Sequence, residues 1–158
     1  MQANQRKFSK IYDTYVESIY RFIYIKVNSQ EIAQDLTSEV FLRVWKSYQK
    51  QNLKNPRAFL YTTARHIVID YYRTNKRTIS IESIDIEDSA QDIGKKEEAS
   101  SLIQQNIRKL KEDYQNVLIL RYVDDLSITE ISKILDKTKG ATRTLLHRAL
   151  SELRKQIV

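Results

Sequence analysis

The sequence contains no cysteine. Disulfides, thiolate zinc sites and a cysteine nucleophile are therefore excluded. It has one proline, Pro56, and two glycines, Gly94 and Gly140. So little punctuation over 158 residues leaves few places for hairpins and predicts an all-α chain. Histidine is also scarce. His66 and His147 stand far apart with no carboxylate cluster at metal-ligand spacing, so neither a metal nor a cofactor is expected. There is no glycine-rich phosphate loop, and no nucleophile, base and orienting group combine; the expectation is a protein that is not an enzyme. No apolar run reaches the roughly 18 residues of a membrane span. Met1 to Lys10 is polar, without the apolar centre of a signal peptide. A cytoplasmic protein, not an integral membrane one, is expected.

What is present is charge and helical periodicity. Apolar residues make up 41% and charged residues 30%, which suits a globular chain. The net charge of +7 is unevenly spread. Residues 1–77 carry 14 Lys/Arg against 6 Asp/Glu, residues 78–100 carry 2 against 7, and residues 101–158 carry 11 against 7. Two basic blocks flank an acidic segment, a pattern that predicts two nucleic-acid-facing modules, 1–77 and 101–158, joined by a linker over 78–100.

Phe8, Ile11, Tyr12, Tyr15, Ile19, Phe22 and Ile23 recur in steps of three and four and predict a first helix. Ser29 caps a second helix carrying Ile32, Leu36, Phe41, Val44 and Trp45. Asn55-Pro56 opens a third, with Phe59, Leu60, Ala64, Ile67 and Tyr71 on its buried face. From Arg77 to Lys96 the period breaks, and an acidic mobile linker is predicted ahead of an edge strand at Ile79 and Ile81. Periodicity resumes at Leu102, Ile103, Ile107 and Leu110. Asp113 is then the expected cap of a helix burying Val117, Leu118, Leu120 and Val123.

Ser127-Ile128-Thr129-Glu130 is a capping box, with Leu126 and Ile131 at the staple positions. Ile131, Ile134 and Leu135 give the short helix an apolar face. Asp136 and Lys137 form a turn, and Thr138 caps a longer helix with Leu146, Ala149, Leu150 and Leu153 on its buried stripe. Together these make a helix-turn-helix. In that motif the start of the second helix, here Lys139, Gly140, Ala141, Thr142 and Arg143, enters the major groove. Arg143 suits guanine, and Thr142 or Thr144 suits a base edge or thymine methyl, whereas Lys139 and Arg148 suit phosphates.

The N-terminal half narrows the reading. Ala33 to Trp45, reading AQDLTSEVFLRVW, resembles the polymerase-binding helix of RNA polymerase sigma factors of the sigma-70 family, A-x-D-L-x-Q-E-x-F-x-x-x-W. Asn55 to His66 and Ile69 to Arg73 are similar to that family's promoter −10 helix. Gly140 to Ala149 is similar to its G-T-V-K-S-R-L-H-R-A. With only two modules, the match is to the extracytoplasmic-function (ECF) group. The resemblance implies a subunit that binds core RNA polymerase, through the largest-subunit coiled coil and the flap, and promoter DNA; an anti-sigma factor is a partner it allows.

The resemblance also assigns residues. Polymerase docking falls to Asp35, Leu36, Ser38, Glu39 and Arg43, although Leu36, Phe41 and Trp45 read better as core. The −10 set is Asn52, Lys54, Asn55, Arg57, Tyr61, Arg65, His66, Tyr72, Arg73, Lys76 and Arg77. The −35 set is Ser127, Thr138, Lys139, Gly140, Ala141, Thr142, Arg143, Thr144, His147 and Arg148. The sequence departs from the family pattern at Ser38 (usually Gln), His66 (Asn), Asp136 (Gly), Lys137 (apolar), Thr142 (Val) and Leu145 (often Arg). A stand-alone helix-turn-helix regulator of duplex operator DNA shares only the C-terminal signal.

Overall fold

A computed structural model describes residues 2–79 and 95–157, with side chains described for 2–75 and 101–157. Of the predicted acidic linker, residues 80–94, with Ile81 of the edge-strand alternative, lie outside the described residues; Thr78 and Ile79 end α3 and 95–100 begin α4, so helix runs further into both ends of this segment than predicted. All described elements are helical: α1 (Gln2–Val27), α2 (Gln30–Lys50), α3 (Pro56–Ile79), α4 (Lys95–Arg108), α5 (Glu112–Leu118), a π-helical turn (Ile119–Val123), α6 (Ile128–Leu135) and α7 (Lys139–Ile157). They divide into two compact units, Met1–Asp70 with Lys133–Leu135, and Tyr71–Ser132 with Asp136–Val158.

In the first unit, Asn28 and Ser29 alone separate α1 from α2. Asn28 adopts the left-handed conformation (φ 54°) and donates its amide to the Tyr24 carbonyl at 2.8 Å, ending α1. Asparagine tolerates that conformation better than most residues. Ser29 then accepts from the Ile32 amide at 3.2 Å and starts α2 as predicted. So short a connection makes the two helices antiparallel neighbours. They bury Ile19, Phe22 and Ile23 of α1 with Ala33, Leu36, Val40 and Val44 of α2. Asn55 caps α3, its side-chain oxygen accepting from the Ala58 amide at 3.1 Å. From α3 the core takes Leu60, Tyr61, Ala64, Ile67 and Val68, while Phe59 and Tyr71 are only half-buried.

In the second unit Asp113 is not a cap. α5 starts one residue earlier, at Glu112, and Lys111 precedes it without a side-chain cap bond. Gln115 instead joins α5 to the end of α4, donating to the Arg108 and Leu110 carbonyls at 3.1 and 2.9 Å. Val117, Leu118, Ile119 and Leu120 are buried, but Val123, expected inside, is 37% exposed. The cause is the π-helical turn, in which the Asp124 amide bonds the Ile119 carbonyl five residues back at 3.0 Å. That wider turn shifts the following residues off the α-helical stripe.

The helix-turn-helix forms as expected. Ser127 Oγ accepts from the Glu130 amide at 3.1 Å, and the Glu130 carboxylate accepts from the Ser127 amide at 2.9 Å. α6 ends on Asp136, which is left-handed at φ 56°, ψ 50°. Thr138 Oγ1 accepts from the Ala141 amide at 3.0 Å and opens α7.

Candidate nucleic-acid and polymerase interfaces

α7 gives its N-terminal end to solvent. Lys139, Gly140, Ala141, Arg143, Thr144, His147 and Arg148 are all exposed. A Cβ built on Gly140 would meet nothing within 4 Å, so the helix start is open to an approaching surface. The first turn of α7 has no acidic residue, which leaves the positive end of the helix dipole unopposed there. Ser127 and Thr138 are exposed too, but each hydroxyl already serves as a cap.

Thr142 is a correction. It is fully buried, and its hydroxyl donates to the Thr138 carbonyl at 2.8 Å. It lies four and seven residues before Leu146 and Ala149, on the inward stripe of a 3.6-residue period. It therefore supports α7 from behind and cannot meet a base.

The residues assigned to −10 DNA are sorted by α3 and the loop before it. Asn52, Lys54 and Asn55 are exposed in the loop, and Asn55 is also the α3 cap. His66, Asp70 and Arg73, at i, i+4 and i+7, form one exposed row of α3. Arg65 is half-buried. Arg57 is half-buried with its guanidinium 5.6 Å from the centre of the Tyr15 ring. Tyr72 is 40% exposed. Desolvation, with Tyr71 beside it, pushes its hydroxyl up to about 12. Lys76 and Arg77 lie on α3, outside the described side chains.

Tyr61 is the second correction. It is 2% exposed, and its ring meets Phe22 edge-to-face with centroids 5.4 Å apart. A ring packed in that way is core and cannot stack on a base.

On α2 the residues assigned to polymerase docking differ in exposure. Asp35, Ser38 and Arg43 are exposed, and Glu39 is half-buried with its carboxylate 2.8 Å from the Arg43 guanidinium. Leu36 is buried at 9% exposure and belongs to the core, as its apolar character suggested. Leu42 went unassigned. It is 54% exposed, seven residues after Asp35 on the same face. The i, i+7 spacing would have found it. Beside it runs an aromatic groove of about 560 Å³ against α1, where Phe8 meets Trp45 (centroids 5.0 Å) and Tyr12 meets Phe41 (4.8 Å).

Among the described residues no group of three or more His, Cys, Asp or Glu is placed to hold a metal, and no helix is long and apolar enough to cross a membrane.

Comparison with known proteins places these helices in a family. The model for sigma-70 region 2 matches residues 11–78, and that for sigma-70 region 4 matches residues 100–153. The RNA polymerase sigma factor YlaC of Bacillus subtilis is 30% identical, over 93% of this chain and 90% of that protein. The ECF RNA polymerase sigma factor SigW of the same organism is 29% identical over 99% of this chain and 91% of its own. The ECF sigma factor BldN of Streptomyces coelicolor is also 29% identical over 92% of this chain, which spans only 58% of that longer protein. The fold matches the sigma factor RpoE, solved with the anti-sigma factor NepR from Bartonella quintana, at TM-score 0.74 and 16% identity, covering 96% of this chain and 97% of that one. The chain belongs to the sigma-70 family of RNA polymerase sigma factors. It is a sigma factor of transcription initiation.

Proposed function

We propose that the two modules, 1–77 and 101–158 around a linker over 78–100, divide promoter recognition between them. The exposed face of α2, with Asp35, Ser38, Glu39, Leu42 and Arg43, docks on the coiled coil of the polymerase largest subunit, and the C-terminal module reaches the flap. The loop bearing Asn52 and Lys54, with the exposed row of His66 and Arg73, and Tyr72 beside it, captures −10 bases as the duplex opens. Single strands are held by positive charge plus stacking, and this surface supplies both. α7 enters the major groove of the −35 element, with Arg143 on base edges and Lys139 and Arg148 on phosphates. The chain works in the cytoplasm, without a cofactor and without catalysis of its own; an anti-sigma factor is a further expected partner.

One observation carries this reading. The capped, acid-free start of α7 presents Gly140, Arg143, Thr144 and His147 to solvent together. The test is in vitro transcription with core polymerase and genomic DNA, mapping start sites. New starts that share a −35 and a −10 element are expected; no starts beyond those of core polymerase alone would overturn the reading.

A further inference from the structure

The outward face of α2 changes sign along its length. Glu31, Asp35 and Glu39 stand at i, i+4 and i+8, and Arg43, Lys46 and Lys50 follow on the same face. Glu39 is half-buried and the others are exposed. The helix dipole favours an acid in the first turn and a cation in the last, which accounts for Glu31 and Lys50. It does not reach Asp35, Glu39, Arg43 and Lys46 in the turns between. Within one helix the pattern is unfavourable. Glu31 with Asp35, Asp35 with Glu39, and Lys46 with Lys50 are like charges four residues apart. The Glu39–Arg43 pair, at 2.8 Å, offsets part of this.

We propose that this face is self-complementary, and that a second copy of the chain pairs with the first through antiparallel α2 helices. A two-fold axis level with the step from Val40 to Phe41 is equally far from Glu31 and Lys50, and from Asp35 and Lys46. It therefore sets Glu31 against Lys50 and Asp35 against Lys46, each twice. Glu39 comes to lie between its own Arg43 and that of the second copy. The exposed Leu42 meets its counterpart near the axis, beside the aromatic groove that it lines with the exposed Tyr12. The interface is thus apolar at its centre and charge-paired toward its ends, as a two-fold contact requires.

One helix face and the neighbouring edge of α1 bury less surface than an obligate dimer does, so the pairing is reversible and depends on concentration. Its charge pairs lie at the rim, so salt weakens it. The same face is the one assigned to polymerase docking. Resting on that reading, the pair and the polymerase complex exclude each other, and core polymerase draws single copies from a stored dimer.

The test is sedimentation velocity of the full chain over a concentration series at low and high salt. Dimer that grows with concentration and recedes in high salt is expected. Asp35→Lys and Lys46→Asp should each be monomeric, since each sets like charges against one another. Both positions are exposed, so both variants should melt like the parent. Mixed in equal amounts, the two variants should pair again, because each supplies the charge the other lacks. A parent that stays monomeric throughout, single variants that still pair, or a mixture that does not, would each overturn the proposal. Core polymerase is then titrated into the parental dimer, and release of one copy as the other is bound is expected. If the charge-swap results hold but polymerase takes up the intact dimer, the pairing stands and the docking reading of this face fails. If the swaps fail while Asp35→Lys with Glu39→Lys still abolishes polymerase binding, the pairing falls and the docking reading stands.

Discussion

Asp136 holds the left-handed corner between α6 and α7 at φ 56°, where a side chain is disfavoured. Its amide bonds the Ser132 carbonyl, and so does that of Lys137 at 3.0 Å, so the corner is fixed by backbone bonds and not by the aspartate side chain. Asp136→Gly is expected to raise stability by about 0.5–1 kcal/mol, read as a shift of the urea midpoint. Tyr61 makes the opposite case. Tyr61→Ala should cost about 3–5 kcal/mol, because it empties a core position against Phe22. A thermal melt followed by circular dichroism measures this. His66→Ala, on the exposed row, should leave the melt within about 0.5 kcal/mol while slowing promoter opening. Both residue-level errors of sequence reading have one origin. Tyr61 is in step with buried Ala64 and Val68, and Thr142 with Ala149, so the period placed them inside. The resemblance places Tyr61 in the −10 set and the helix start places Thr142 toward DNA, and neither takes account of that period.

Helix starts were legible because capping is local. Ser29, Asn55, Ser127 and Thr138 each accept a backbone amide three residues ahead, a bond whose partners are fixed by spacing alone. The start of α5 was not legible, since nothing in its sequence distinguishes a cap at Asp113 from an uncapped start at Glu112, two residues before the start that cap would give. The exposure of Val123 was hidden as well, because a five-residue hydrogen-bond step leaves no hydrophobic period to read. At the start of α7, Gly140→Ala offers a separation of stability from function. With open space around the added methyl group, the variant should stabilise the helix by up to about 1 kcal/mol. Promoter affinity should fall nonetheless, if DNA comes as close to this turn as proposed. Paired urea titrations and promoter-binding curves measure the two effects, and a variant that is both more stable and equally tight on DNA would remove the close approach.

For the molecule as a whole, composition predicts the all-helical class, charge blocks predict two basic modules, and the ordered motifs carry the resemblance to the family. What they could not give was which surface residues act together, because that depends on which helix faces solvent. The pair of Glu39 and Arg43 shows how little the fold depends on one such surface. Both groups are 44–49% exposed, and a pair of that kind adds at most about 1 kcal/mol. Asp35→Lys with Glu39→Lys should therefore leave the melt almost unchanged and abolish co-purification with core polymerase; retained co-purification would move the docking surface elsewhere. The π-helical turn has a consequence of a different sort, for chain length. It is the geometry of a helix that has taken in one extra residue. A deletion between Ile119 and Val123 that tightens the turn to ordinary α pitch removes the bond from the Asp124 amide to the Ile119 carbonyl and moves the point where the chain leaves the helix on its way to α6. Leu120 and Leu126, buried on either side of that exit, would then have to find new neighbours. Substitutions in this segment are tolerable wherever the side chain is exposed, as at Tyr122, but a change in length is not.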